Sequence, residues 1–204
     1  ELNSQFNFSL YFPARVHFSG TSDFIDLNQI VKKNIDFFGP VNLMGSLTSS
    51  HDQVRFMGFA DEQIRFDENG TERAFTDPPS EVKHNSSYDK LYQFTAWNMA
   101  LPGVPVVYYG EEIGQIGAND PDNRRMMRFD HLSQIELNHR DKISHLIKLR
   151  RQYESLSLGD LQILYEDQFS TVWLKSYFNQ KLLIIFNNQS EESSISITVD
   201  PSYD

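Results

Sequence analysis

Short apolar runs and longer segments with helical spacing alternate along the first part of the chain. The apolar runs predict three buried strands, at 6–12, 41–47 and 104–109. The helical spacing predicts three helices, at 24–38, from Tyr88 to the Pro102-Gly103 pair, and at 139–156. Three strand–helix units in succession are typical of a parallel sheet with helical crossovers, so the pattern predicts an α/β fold.

The pattern changes after Gly159, where short apolar segments follow one another without helices between them. These segments predict four strands, at 161–166, 171–177, 181–187 and 193–199. Asn179-Gln180 fits a hairpin turn between the second and third of them. We therefore predict two domains, an α/β part at 1–156 and an all-β part at 157–204, and we expect the second to be incomplete.

Composition and charge narrow the class of partner. The chain has 204 residues, of which 39% are hydrophobic and 13% aromatic, enough to build a folded core. Its net charge of -10 argues against a nucleic-acid or anionic membrane surface. It has no cysteine, which excludes disulfides and thiol nucleophiles, and no apolar run approaches the roughly 18 residues of a membrane span. We expect a neutral or cationic partner, and neither nucleic acid nor membrane insertion.

The segment SSHDQVR follows the second predicted strand and concentrates polar side chains there. Loops at the carboxyl ends of parallel strands carry the chemistry of such folds. His51, Asp52 and Arg55 together offer the donors and acceptors that a hydroxyl-rich ligand requires, and a carboxylate stabilises an oxocarbenium-like transition state. Two alternatives stay open: a surface loop in which Asp52 caps a short helix, and a metal site without a third ligand.

Two further polar segments follow the third predicted strand. PGVPVVYYGEEIG delivers Tyr109, Glu111 and Glu112 to the end of that strand, where adjacent carboxylates are usually one solvated and one structural. GANDPDNRRMM then forms a rigid polar loop whose Asp122 and Arg124 are suited to hydrogen-bond sugars. A structural salt-bridge cluster is the alternative for this loop.

The order and spacing of these segments carry a resemblance. SSHDQVRF, LPGVPVVYYGEEIG and GANDPDNRRMMRFD together resemble the later part of the α-amylase family of glycoside hydrolases, most closely its neopullulanase and cyclomaltodextrinase branch. The resemblance covers about residues 2–156, and the β part is similar to the family's C-terminal sandwich. It implies the last three β/α units of a TIM-type (β/α)8 barrel, followed by a C-terminal antiparallel β-sandwich.

The resemblance also implies roles for individual residues. Asp52 matches an aspartate that binds sugar hydroxyls and aids substrate distortion, and His51 matches a histidine that stabilises the transition state. Ser50 departs from the commoner asparagine at its position. The candidate substrate-binding residues are Asp122, Arg124, Arg55 and Tyr109, although the end of the eighth strand, where Tyr109 lies, has a more architectural role in the family.

The resemblance implies a retaining α-glucan hydrolase that acts on α-1,4 or α-1,6 bonds of starch, maltodextrin, pullulan or cyclodextrin. Its nucleophile and acid follow the fourth and fifth strands, which would precede residue 1, so we expect the isolated chain to be inactive. The alternative is a non-catalytic carbohydrate-binding or interaction protein on the same scaffold. We expect no cofactor or metal in this part, since the family's calcium sites lie mostly in the other half. We also expect self-association through open barrel edges and, from the substrate class, a bacterial periplasmic or secreted setting.

Overall fold

The computed structural model describes residues 4–189, 192 and 194–197, and this part of the chain is an α/β body with a small antiparallel sheet. Its α-helices are α1 Phe8–Val16, α2 Phe24–Phe38, α3 Phe56–Ala60, α4 Gly70–Thr76, α5 Ser86–Ala100, α6 Gln134–Gln152 and α7 Glu154–Leu158. Its strands are β1 Gly45–Leu47, β2 Val104–Val106, β3 Asp160–Glu166, β4 Ser170–Tyr177 and β5 Gln180–Asn187. No helix among the described residues is long and apolar enough to cross a membrane.

A short parallel sheet forms the base of the α/β body. β1 and β2 pair in parallel, with Gly45 opposite Val104 and Leu47 opposite Val106. Phe6 adds a parallel bridge to Gly45 on the other edge. The chain thus passes three times in the same direction with helices between the passes, which confirms the predicted α/β arrangement in outline.

The first predicted strand is wrong beyond its first residue. Only Phe6 pairs with the sheet, and α1 begins two residues later within the segment predicted as extended. The reason is local: Asn7 caps the helix, and its side-chain oxygen accepts a hydrogen bond from the Leu10 amide at 3.3 Å. Of the aromatic side chains that suggested a strand, Tyr11 is buried from the helix, at 2% exposed, whereas Phe12 is 42% exposed.

The stretch between β1 and α5 contains two short helices. α3 and α4 lie in the stretch after β1, and α4 is capped by Asn69, whose side chain accepts from two backbone amides. α6 begins at Gln134, before the predicted start, because Ser133 and Glu136 form a capping box there. The predicted helix at 139–156 is divided between α6 and α7 at Tyr153.

An aromatic core joins the helices to the second sheet. Phe94 on α5 stacks on Phe18 at 5.2 Å and meets Phe56 edge-on at 4.9 Å. One turn further, Trp97 lies 6.2 Å from Trp173 on β4, and both tryptophans are fully buried. Burial of aromatic side chains is the largest favourable contribution per residue in such a core. One hydrophobic cluster therefore runs from the α/β body into the sheet, and the division at 156 stays a prediction.

The second sheet has the order β3-β4-β5, and its three strands are antiparallel. These strands confirm the predicted ones, each beginning one residue earlier. The fourth predicted strand, at 193–199, lies partly outside the described residues, and 194–197 form no strand. Among the residues that the structure describes, this region is therefore a single three-stranded layer rather than the predicted sandwich.

The contact between α2 and β4 depends on a buried amide. Asn28 is fully buried; its side-chain oxygen accepts from Trp173 Nε1 at 3.2 Å, and its nitrogen donates to Thr171 Oγ1 at 2.9 Å. One turn along the same helix, Lys32 makes a 2.8 Å ion pair with Glu166 on β3, but the lysine side chain is 49% exposed. Buried hydrogen bonds and exposed ion pairs contribute very differently to stability.

We expect Asn28→Ala to lower the free energy of unfolding by about 2 kcal/mol, because it leaves the buried Trp173 Nε1 without an acceptor. Lys32→Ala, the matched control on α2, should cost less than about 1 kcal/mol, since water screens its ion pair. Urea denaturation followed by tryptophan fluorescence measures both. Equal losses for the two variants would contradict this assignment of the interface.

Candidate functional site

The loops that follow β1 and β2 meet at one edge of the parallel sheet. Because the two strands are parallel, their carboxyl ends deliver both loops to the same side. Thr48, directly after β1, donates a hydrogen bond to Glu111 Oε2 in the second loop at 2.9 Å. Ser49 turns the first loop toward α3, since its hydroxyl accepts from the Phe56 amide at 2.9 Å.

Arg55 joins the two loops from below. Its side chain is fully buried; Nε donates to the Asn123 carbonyl at 2.9 Å, and Nη1 donates to the Tyr109 carbonyl at 2.8 Å. The guanidinium also lies 4.7 Å from the Tyr108 ring centre and 5.0 Å from that of Tyr109. Arg55 was predicted to bind substrate, but the structure places it beneath the site rather than on its surface.

Glu111 supplies the negative charge that accompanies Arg55. Its Oε1 lies 3.6 Å from Arg55 Nη1, and the carboxylate is 2% exposed. Burial raises the pKa of Glu111 above its usual range, whereas Arg55 and the Thr48 and Ser49 hydroxyls act in the opposite direction. The carboxylate is therefore withdrawn from solvent and serves as the counter-charge of Arg55.

Asn123 fixes the backbone of the first loop. It was not among the site residues that we predicted from the sequence. It lies in a 3₁₀ turn, Asp122–Arg124, and is fully buried. Its Nδ2 donates to the carbonyls of His51 at 2.9 Å and Gln53 at 2.8 Å, on either side of Asp52. The motif gave no signal for this role, because the charged residues on both sides of Asn123 were the ones that we interpreted as binding residues.

Asp52, His51 and Arg124 form one open patch above this buried layer. Asp52 Oδ2 lies 3.0 Å from His51 Nε2, and Oδ1 lies 3.3 Å from a terminal nitrogen of Arg124. Arg124 Nε also donates to the His51 carbonyl at 3.0 Å. The Asp52 side chain is 63% exposed and that of Arg124 45%. The patch thus presents a reachable carboxylate between two side chains that can donate hydrogen bonds.

The other two predicted substrate-binding residues are occupied by their own loop. Asp122 accepts from the Ala118 amide at 2.6 Å and from Arg125 Nε at 2.7 Å, and its side chain is 10% exposed. Tyr109 is 37% exposed, and its hydroxyl donates to the Arg125 carbonyl at 2.9 Å. In the described residues, no group of three or more His, Asp or Glu side chains could hold a metal ion, and the expectation of no metal stays a prediction.

We expect Arg55→Met to destabilise the chain by about 3–5 kcal/mol at pH 8, because it leaves the buried Glu111 carboxylate without its cation. Glu111 would then bind a proton more readily in the folded than in the unfolded chain. The destabilisation caused by Arg55→Met should therefore shrink as the pH falls toward about 4.5, the usual pKa of a glutamate carboxyl group.

Urea denaturation at pH 5 and pH 8 measures this difference. The double variant Arg55→Met/Glu111→Gln should recover part of the loss at pH 8 and show little dependence on pH. A loss that is the same at both pH values, or that the second substitution leaves unchanged, would contradict the proposed coupling.

Curated proteins with similar sequences are α-glucan-degrading enzymes. The chain is 34% identical over 106 residues to a cyclomaltodextrinase of Geobacillus thermopakistaniensis, a match that covers 51% of this chain and 18% of the relative. It is 30% identical over 108 residues to neopullulanase 2 of Thermoactinomyces vulgaris, covering 52% and 18%. Alpha-amylase 2 of Schwanniomyces occidentalis is 23% identical over 202 residues, covering 97% and 35%. The chain therefore spans about a third or less of these relatives. No family model matches it.

Solved structures agree with the sequence comparison. An α-amylase of Anoxybacillus superposes with a TM-score of 0.75 at 27% identity, covering 93% of this chain and 37% of that one. An α-amylase of Geobacillus thermoleovorans, solved in complex with acarbose, gives 0.73 at 25% identity, covering 93% and 38%. The predicted resemblance is therefore confirmed: this chain is related in sequence and in fold to α-amylase-family glycoside hydrolases, among them cyclomaltodextrinases and neopullulanases.

Proposed function

We propose that this chain is part of a retaining glycoside hydrolase that cleaves α-1,4 or α-1,6 bonds of α-glucans. The observation that carries the proposal is the open carboxylate of Asp52, held between His51 and Arg124 at the end of β1. Similarity to the relatives supports the proposal, because their names denote enzymes that degrade cyclomaltodextrins, pullulan and starch.

The patch suits the chemistry of glycoside cleavage. A carboxylate accepts hydrogen bonds from two neighbouring sugar hydroxyls, and its negative charge favours the positive, oxocarbenium-like transition state. His51 and Arg124 can donate to the same sugar while they keep Asp52 oriented. Asp52 and His51 would thus contribute binding and electrostatic stabilisation, and neither would attack the sugar or transfer a proton to it.

The scaffold fits the later part of a (β/α)8 barrel. We assign the Phe6 bridge, β1 and β2 to the sixth, seventh and eighth barrel strands, and β3–β5 to the start of a C-terminal sandwich. In the resembled family the nucleophile and the acid follow the fourth and fifth strands, so a longer polypeptide would supply them. Residues 1–156 and 157–204 would then belong to the barrel and to the C-terminal domain.

In the full-length protein, we expect Asp52→Asn to lower kcat for release of reducing sugar from maltodextrin by about 10²–10³-fold. Asp89→Asn is the matched control, since Asp89 lies exposed on α5 and pairs with Lys142 on α6. The Asp89→Asn variant should leave kcat unchanged. Sugar binding without any release by the unmodified full-length protein would favour the non-catalytic alternative, and full activity of Asp52→Asn would contradict the role of this carboxylate.

We also expect the 204-residue chain alone to release no reducing sugar from maltodextrin, because it lacks the two carboxylates that retention requires. The same assay on the purified chain, beside the full-length protein, tests this. Release by the chain that disappears in Asp52→Asn would show that the reacting carboxylates lie within these residues, and the assignment of strands would then be wrong.

A further inference from the structure

We infer that His139 on α6 is a positioning residue of the proposed reaction. It holds the short turn that carries Glu111 and, through that turn, the loop that carries Asp52. This inference rests on the proposed function. His139 is 2% exposed, and its Nε2 lies 3.2 Å from the Glu111 carbonyl oxygen.

This hydrogen bond determines which nitrogen of the His139 ring carries the proton. A carbonyl oxygen only accepts hydrogen bonds, so Nε2 must be the donor. The other nitrogen, Nδ1, is buried and has no hydrogen-bond partner in the part of the chain that the structure describes. A second proton there would place a charge and an unpaired donor in the interior. The ring is therefore neutral, with Nε2 as its donor.

The surroundings of the ring favour the same neutral form. Burial lowers the pKa of His139 to about 4, with a smaller contribution from Lys142, while the Glu111 carbonyl and Asp89 act in the opposite direction. Lys142 and Asp89 also pair with each other at 3.3 Å. The Tyr88 ring meets the imidazole edge-on, with ring centres 5.5 Å apart. The imidazole is thus a neutral donor held in one orientation.

The turn that His139 contacts is short and flexible at both ends. It is the 3₁₀ turn Glu111–Ile113, which lies between Gly110 with φ 88° and Gly114 with φ 66°. The Glu111 carbonyl accepts from the Gly114 amide at 3.1 Å, which closes the turn on itself. The same carbonyl accepts from His139, which belongs to a helix of 19 residues. A rigid element therefore fixes the place of a short irregular one.

The place of this turn matters because of the Glu111 carboxylate. One of its oxygens accepts from Thr48 Oγ1 at 2.9 Å, and the other lies 3.6 Å from Arg55 Nη1. Thr48 and Arg55 stand at the two ends of the loop after β1, and Asp52 lies between them. A shift of the turn would therefore move both ends of the loop that carries Asp52. Small misplacements of groups that act in a transition state lower the rate strongly.

The test compares two variants of His139 in the full-length protein whose new side chains have equal length. Glutamine can donate to the Glu111 carbonyl, whereas methionine cannot. We expect His139→Met to lower kcat for maltodextrin hydrolysis about tenfold and to change KM less than about twofold. His139→Gln should keep kcat within about twofold of the unmodified value. His145→Met, the matched control at an exposed position of α6, should leave kcat and KM unchanged.

A double variant separates positioning from a general loss of stability. If His139 acts through Asp52, His139→Met should lower kcat little further once Asp52→Asn is present, because the group that it positions has been removed. Losses that multiply in the double variant would overturn the inference. Equal losses for His139→Met and His139→Gln would overturn it as well, since packing alone would then explain both.

The proton on the ring can be measured without a substitution. NMR of the imidazole nitrogens in histidine-labelled full-length protein distinguishes the two neutral forms, and the spectrum of His139→Gln assigns the signal. We expect His139 to carry its proton on Nε2 at neutral pH. A proton on Nδ1 would contradict the inference even if His139→Met did not fold.

The outcomes also separate this inference from the function on which it rests. If Asp52→Asn lowers kcat as proposed but His139→Met keeps the unmodified value, His139 has no positioning role and the proposed function stands. If Asp52→Asn keeps full activity, the proposed function itself fails.

Discussion

The buried guanidinium of Arg55 is the interaction on which the candidate site depends. A charge without exposure to water is tolerated only when protein groups replace its hydration. Here two backbone carbonyls, one carboxylate and two tyrosine rings do so, and all of them belong to the long loop after β2. Arg55 itself belongs to the loop after β1. Satisfying this one charge therefore fixes two irregular segments relative to each other.

A layered arrangement follows from this constraint. The lower layer is buried, with Arg55 and Asn123 both without exposure. The upper layer is open, and Asp52 stands there with most of its side chain in solvent. Because Asn123 holds the carbonyls on both sides of Asp52, the exposed carboxylate stands on a fixed backbone. Electrostatic stabilisation of a transition state depends on groups that are oriented before the reaction begins.

Local signals explain which elements were predictable from the sequence. α2 was predicted with its observed ends, because Asp23 caps its start and Gly39 ends it. The strands β3–β5 were predicted to within one residue at their starts. The strand at 6–12 was wrong because the cap at Asn7 outweighed an apolar pattern that suits either a strand or a helix.

The burial of each side chain explains which features of the site could not be predicted from the sequence. The motifs placed polar side chains in the loops after the strands, and His51, Asp52 and Arg124 do lie together. A motif does not say which of its side chains face solvent, so Arg55 and Asp122 were interpreted as substrate-binding residues although Arg55 is fully buried and the Asp122 side chain is only 10% exposed. Asn123 gave no signal, because an amide that binds backbone carbonyls depends on contacts some 70 residues apart in the chain.

The most direct test of this account is a crystal structure of the full-length protein with a bound maltooligosaccharide. We expect two hydroxyls of one glucose unit within about 3 Å of Asp52, and Arg55 buried below without contact to the sugar. A sugar bound away from Asp52, or one whose hydroxyls reach Arg55 directly, would contradict the layered arrangement.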